Sequence, residues 1–320
     1  MKTPGISLRF SVTQSCQLRC RYCRSGRRGD HDNIGRSLPQ GELMALLHFL
    51  HQIAGIAKLR FTGGEPLLRH DLPELVAACA ELGIADLALT TNGQRLAEFA
   101  GDLKQAGLHR VNVSLDSLDK DIFSAITRGG DLTASLAGIE AALAHDLQPL
   151  KLNMVVLRGV NDHETGDMLD FALKSGCHIR FLELMPIGVA AIEFDCRFIA
   201  CQDIRDRLTA RYDLQPLPYE TGATSRDFMV RDASGRTTVC GFISPSSHPF
   251  CHGCTRLRLT ADGRLLGCLA NRRQLDLRPA LAAALAGDSQ PLAAAITDAF
   301  ALKRQPHNLA DQCDMTRIGG

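Results

Sequence analysis

Cys16, Cys20 and Cys23 stand in a CxxxCxxC spacing directly after the alternating apolar run 6–12. Iron–sulfur clusters are held by cysteine thiolates, and three thiolates on a four-iron cluster leave one iron open to an outside ligand. A structural zinc site is the alternative, and it would need a fourth ligand at short spacing. His31 is the nearest candidate. A second triplet follows far downstream, with Cys251 and Cys254 as CxxC and Cys268 after 13 intervening residues. The strand, turn and return strand expected over 256–268 fold back as a hairpin and bring these three thiols together. Zinc completed by His248 or His252 and a second cluster are both open there. Arg9, Arg60, Lys151 and Arg180 lie within or beside expected strands, where a cation is out of place without an anionic partner. Arg grips phosphate bidentately and Lys acts as a point charge, so this set suits a polyphosphate. Arg256 and Arg258 share one strand face beside the second triplet.

The elements that must position these groups alternate along the chain. Strands are expected over 6–12, 57–61, 86–90, 110–115, 151–157 and 178–185, and helices over 39–53, 72–82, 96–106, 132–145 and 164–175. Strand ends carry Thr62-Gly63-Gly64-Glu65-Pro66, Thr90-Thr91-Asn92-Gly93, and Ser114 with Asp116. Six such units imply right-handed crossovers and a parallel sheet. A partial barrel with chemistry at successive strand ends fits better than a doubly wound sheet, which gathers ligands at one switch point. Pro216, Pro218 and the Gly/Thr stretch 221–224 mark a junction, dividing the chain into 1–215 and 216–320. Beyond it, short strands are expected over 228–231 and 237–243, and a helix over 281–303. The last residues carry Met315 and Ile318 ahead of Gly319-Gly320.

Composition narrows the function classes. A 320-residue chain with 45% apolar and 22% charged residues has material for an ample core. A net charge of +1 gives no footprint for nucleic acid or an anionic membrane, and no Trp with three Tyr gives little for base stacking. Run 6–12 is too short, and carries Arg9, for a secretory leader, and no apolar stretch is long enough to span a bilayer. Twelve cysteines in that setting read as metal ligands and free thiols of a cytoplasmic protein. Cys79, Cys177, Cys196, Cys201, Cys240 and Cys313 read as packing residues. Arg19, Arg21, Arg24, Arg27 and Arg28 read as a solvated face, or as an attractor for an anion.

CxxxCxxC with Tyr22 before its last cysteine, followed one strand–helix unit later by Gly-Gly-Glu, resembles the radical S-adenosylmethionine (SAM) superfamily. Residues 250–269 and the terminal Met-x-x-Ile-Gly-Gly resemble the GTP 3′,8-cyclase family, molybdenum cofactor biosynthesis protein A. So do 9–23, 58–69, 87–93, 111–116, 151–162 and 180–185. The resemblance implies an α/β fold, an incomplete parallel (β/α)6 barrel closed by a smaller C-terminal α+β domain. It implies two 4Fe-4S clusters, on Cys16, Cys20 and Cys23 and on Cys251, Cys254 and Cys268. It implies SAM contacts from Tyr22, Gly64, Ser114 and Met185. GTP contacts would fall on Arg9, Arg60, Thr90 (or its neighbour Thr91), Lys151, Arg180, Arg256 and Arg258, with the purine on the second cluster's open iron. Gly319 and Gly320 would enter the barrel and support turnover. A protein electron donor, a downstream molybdopterin-synthesis partner and a homodimer are further implications. Gln14-Ser15-Cys16-Gln17 and Arg24-Ser25 depart from the family's usual Asp-Arg-Cys-Asn and Met-Pro, which bears on packing around the first cluster and on subunit contacts. A radical SAM peptide-modifying enzyme would need further cysteines at the second site. A non-catalytic, zinc-stabilised nucleotide-binding protein would differ in iron, sulfide and zinc content.

Overall fold

The first strand, β1 (Ile6–Ser11), sets the plan of the molecule. Leu8 and Phe10 are fully buried on one of its faces, while Ser7 and Arg9 share the other. The computed structural model describes residues 5–24 and 37–303, apart from Thr221, His252, Ala270 and Arg272. Arg27, Arg28, His31, Cys313, Met315, Ile318, Gly319 and Gly320 therefore lie outside the described residues.

Helix α1 (Gln40–Ala54) follows, burying Leu43, Leu46, Leu47 and Leu50 at helical spacing and ending at Gly55, whose φ is 64°. Then come β2 (Ile56–Thr62), α2 (Leu72–Glu81), β3 (Asp86–Thr91), α3 (Leu96–Gln105) and β4 (Arg110–Ser114). Two helices occupy the next crossover, α4 (Lys120–Thr127) and α5 (Leu132–Ala144), before β5 (Lys151–Val156), α6 (Thr165–Ser175) and β6 (His178–Glu183). Asp119 caps α4 by accepting from the Asp121 and Ile122 amides, a local signal in 117–131 that the apolar pattern alone does not reveal. Further on lie α7 (Ala190–Arg197), α8 (Cys201–Thr209), β7 (Asp213–Pro216), β8 (Arg226–Arg231) and β9 (Thr237–Ile243). The chain continues through β10 (Arg256–Thr260), β11 (Arg264–Leu266), β12 (Leu275–Asp276), α9 (Arg278–Leu285) and α10 (Gln290–Lys303). The helix expected over 281–303 is thus two helices, divided at Gly287, whose φ of 100° takes it out of helical geometry.

Among the described residues all strands join one sheet, in the order β12-β11-β10-β1-β2-β3-β4-β5-β6-β9-β8-β7. Strands β1 to β6 lie in strictly sequential parallel order, the winding of a barrel and not of a doubly wound sheet. The C-terminal part does not build a separate sheet. Its β10 pairs parallel with β1, and its β9 pairs parallel with β6, flanking the six strands on both sides. Leu59, Phe61, Leu87, Leu89, Val111, Val113, Leu152, Met154, Ile179 and Phe181 extend the apolar face of β1 and are fully buried. Each such side chain contributes about 1.5–3 kcal/mol by leaving water. The opposite parity carries the polar set that the site requires.

Candidate active site

The first cysteine loop is held from both sides by backbone. Gly64 N donates to Thr13 O at 2.8 Å, and Glu65 N donates to Ser15 O at 2.7 Å. A Cβ on Gly64 would stand 2.2 Å from the Ser15 carbonyl oxygen, so the strap fits against the loop only as glycine. Glu65 is buried and gathers three donors: the Leu67 amide at 3.0 Å, the Thr91 hydroxyl at 2.7 Å and the Asn92 amide at 2.8 Å. Burial pushes its carboxyl up to about 7 despite those bonds. Asn92 Nδ2 reaches Cys16 Sγ at 3.8 Å and Gln17 Oε1 at 3.3 Å. The Tyr22 hydroxyl donates to Asp116 Oδ2 at 2.6 Å, tying the cysteine loop to the end of β4. Asp116 is raised to about 6 by burial and also accepts from the Val155 amide at 2.9 Å.

The three thiols lie within electrostatic reach of one another. Burial raises Cys20 well above its ordinary value, and Asp116, Cys23 and Cys16 push it further the same way. Three mutually repelling, half-buried sulfurs next to a carboxyl fit a cationic iron–sulfur core, which removes that repulsion. Of the arginine cluster, Arg24 is buried and donates to the Gln14 carbonyl, while Arg21 pairs with Glu193 at 2.8 Å. At those two positions the expected solvated face is in fact part of the loop's support.

The second triplet also converges. Burial raises Cys251, and Cys268 and Cys254 add to it. Burial pushes the Cys254 thiol up too, but Arg256 and Lys303 outweigh it and hold the group below its ordinary value. Lys303 Nζ donates to Cys254 Sγ at 3.2 Å. Three cysteines, one of them held as a thiolate by Arg256 and Lys303, fit a cluster as well. Among the described residues no three His, Cys, Asp or Glu groups gather closely enough for one metal ion. A four-iron cluster does not require that, because each thiolate takes a different iron.

The triplets occupy opposite ends of the same strands. Cys16, Cys20 and Cys23 follow the C-terminal end of β1, whereas Cys254 precedes the N-terminal end of the parallel strand β10. Antiparallel β11 returns Cys268 to that second end. Six strand residues separate the ends, about 20 Å. Gly64, Ser114 and Met185 follow or terminate β2, β4 and β6 at the first triplet's end.

Between the ends lies the cation face. Register sets Arg258 beside Arg9 and Arg9 beside Arg60, with Lys151 beside Asn112 and Arg180 beside Asn153. A cavity of about 520 Å³ is lined by Arg9, Arg60, Arg110, Lys151, Arg180 and Arg256, among others. Its size is that of a small-ligand site. Burial lowers Arg60 to about 9, with Arg110 and Arg180 contributing. Lys151 falls to about 8 through burial, then Arg180 and Arg110. Arg258 falls to about 10 through burial, then Arg256. Arg9, Arg60, Lys151, Arg180 and Arg256 come from β1, β2, β5, β6 and β10 and line this one cavity, so these strands face a common space. Among the described residues Arg9, Arg60, Lys151 and Arg180 make no salt bridge, so the face is suited to a polyanion.

Thr90 and Thr91 are separated by parity. Thr91 is buried and its hydroxyl is spent on Glu65, whereas Thr90 shares the face of Ala88 and accepts from Asn112 Nδ2 at 3.2 Å. Sequence reasoning missed Asn92, Arg110, Asn112 and Lys303. Strand parity from Ser114 back through Asn112 to Arg110 is the signal that reaches two of them. Arg110 is paired with Asp86 through two contacts, at 2.7 and 2.9 Å.

Two family models match the chain, Radical SAM superfamily over residues 10–172 and Molybdenum Cofactor Synthesis C over residues 177–309. The chain is 41% identical to the GTP 3′,8-cyclase of Pelotomaculum thermopropionicum, across 98% of this chain and 97% of that protein. It is 38% identical to the GTP 3′,8-cyclase of Saccharophagus degradans, across 97% and 93%. Among solved structures, Streptococcus suis SuiB bound to precursor peptide SuiA superposes with a TM-score of 0.67 at 14% identity, across 97% of this chain and 71% of that one. That likeness is one of fold.

Proposed function

The chain belongs to the GTP 3′,8-cyclase family of radical SAM proteins, and from that premise we propose how its residues divide the work. The enzyme cyclises GTP, joining ribose C3′ to guanine C8 to give (8S)-3′,8-cyclo-7,8-dihydroguanosine 5′-triphosphate, in molybdenum cofactor biosynthesis. One observation carries the reading: a cation-lined cavity of about 520 Å³ on strands whose two ends each bear a cysteine triplet.

Cys16, Cys20 and Cys23 hold one 4Fe-4S cluster, and Cys251, Cys254 and Cys268 hold the other. When bound, the clusters and SAM supply the electron and the carbon-centred radical chemistry that the cyclisation needs. Tyr22, Gly64, Ser114 and Met185 hold SAM at the first end. Gly64 does so from a strap with no side chain to displace, and Tyr22 from a position locked by Asp116. Arg9, Arg60, Lys151, Arg180, Arg256 and Arg258 bind GTP, replacing their mutual repulsion with charge-assisted bonds to the triphosphate. Thr90 supplies a neutral hydrogen bond on the same face. Positioning and exclusion of water are the protein's share of the catalysis. Gly319 and Gly320 support turnover. The chain works as a homodimer in the cytoplasm, takes electrons from a donor protein and passes its product to a downstream molybdopterin-synthesis protein. Residues 1–215 serve as the radical SAM unit and 216–320 as the second-cluster unit. No helix among the described residues is long and apolar enough to cross a membrane.

The test is turnover by anaerobically reconstituted protein given GTP, SAM and a reductant, followed by mass spectrometry. The expected product has the mass of GTP, a different retention time and one 5′-deoxyadenosine per molecule. Formation of 5′-deoxyadenosine with GTP recovered unchanged would contradict the assignment.

A further inference from the structure

Asn112 is the most deeply buried polar side chain on the cation face, with no exposed surface. It lies on β4 between Thr90 of β3 and Lys151 of β5, its register neighbours on either side. Its amide nitrogen donates to the Leu89 carbonyl oxygen at 3.4 Å and to Thr90 Oγ1 at 3.2 Å. A carbonyl oxygen only accepts, so the Leu89 contact fixes which end of the amide faces β3. The other end, Oδ1, is buried and has no hydrogen-bond partner among the described residues. Leaving such an acceptor unmet is costly, and an apolar side chain of similar shape would avoid the cost. What the amide does toward Thr90 accounts for its presence.

A hydroxyl that accepts from an amide nitrogen keeps its own hydrogen to donate elsewhere. Thr90 is only half-buried and shares its face with Ala88, which lines the cavity. We propose that Asn112 is a positioning residue: by donating to Thr90 Oγ1 it commits the Thr90 hydroxyl to donate into the cavity, toward an acceptor oxygen of the bound nucleotide. This rests on Thr90 being a GTP contact. Asn112 itself touches neither substrate nor cofactor in this scheme.

The experiment is a double-mutant cycle on GTP affinity, measured by anaerobic calorimetry on the cluster-loaded protein, with SAM affinity as the control for a correct fold. Asn112→Ala and Thr90→Ala should each weaken GTP binding about three- to tenfold, the loss of one neutral hydrogen bond, and leave SAM binding unchanged. In the Thr90→Ala background, Asn112→Ala should add no further loss, because the hydroxyl it orients is gone. Asn112→Asp keeps the shape but accepts the Thr90 hydrogen instead, so it should weaken GTP at least as much as Ala. Additive losses in the double variant overturn the positioning role while leaving Thr90 a substrate contact. Unchanged affinity in Thr90→Ala overturns the Thr90 contact itself, and the inference with it.

Discussion

His178, on the same face of β6 as Arg180, is one residue on which the electrostatics of the cation face are legible. Burial lowers its pKa to about 4, and Lys151 and Arg180 act in the same direction; its Nδ1 has no hydrogen-bond partner among the described residues. The folded chain therefore keeps His178 neutral down to about pH 4, while the unfolded chain protonates it below about 6.5. Between those values the unfolded state binds the extra proton at this site, so the His178 contribution is steady above 6.5 and turns destabilising as the pH drops through the window. His178→Gln should flatten that fall. Urea midpoints at pH 7, 6 and 5 will show it as a smaller loss than in the parent protein, and an equal loss would mean that His178 titrates normally in the fold. The same face explains why Arg and Lys sit on strands at all. Each has other cations as neighbours, with Asp86 and Asp227 as carboxylates in reach, and an anionic ligand would relieve the repulsion that remains.

At the scale of elements, the strap after β2 and the loop after β1 are one device. Gly64 packs against the Ser15 carbonyl with no room for a methyl group, and Glu65 reaches on to Thr91 and Asn92 at the end of β3. Gly64→Ala should destabilise the protein by about 1–3 kcal/mol through overpacking. It should also lower SAM cleavage at least tenfold while leaving GTP affinity within about twofold. Parental rates of 5′-deoxyadenosine release from this variant would show that the strap only turns the chain. The motif itself was legible, because Gly-Gly-Glu after a strand is a local pattern. Its second role was not, since the Ser15 contact joins residues far apart in sequence. For α4 and the tail helix the signal was local but lay outside the apolar pattern, in the Asp119 cap and in one glycine that divides the tail helix in two. By contrast Leu43, Leu46, Leu47 and Leu50 repeat at helical spacing, and α1 was read from them to within a residue.

Across the whole molecule, the six parallel strands and both cysteine triplets could be read from period and spacing, because those signals are local. How the C-terminal part attaches could not. Pro216 and Pro218 suggested a boundary, yet β9 and β10 join the flanks of the same sheet, a pairing that only register reveals. That attachment sets the second triplet at one end of the strands and the first at the other, with the cations between. The most direct test of the account is therefore metal content, site by site. Anaerobically reconstituted protein should carry about eight irons per chain, two four-iron clusters. The variants Cys16→Ala/Cys20→Ala/Cys23→Ala and Cys251→Ala/Cys254→Ala/Cys268→Ala should each keep about four. Only the first of these should lose SAM cleavage outright. Zinc in place of iron at Cys251, Cys254 and Cys268, or SAM cleavage surviving without Cys16, Cys20 and Cys23, would contradict it.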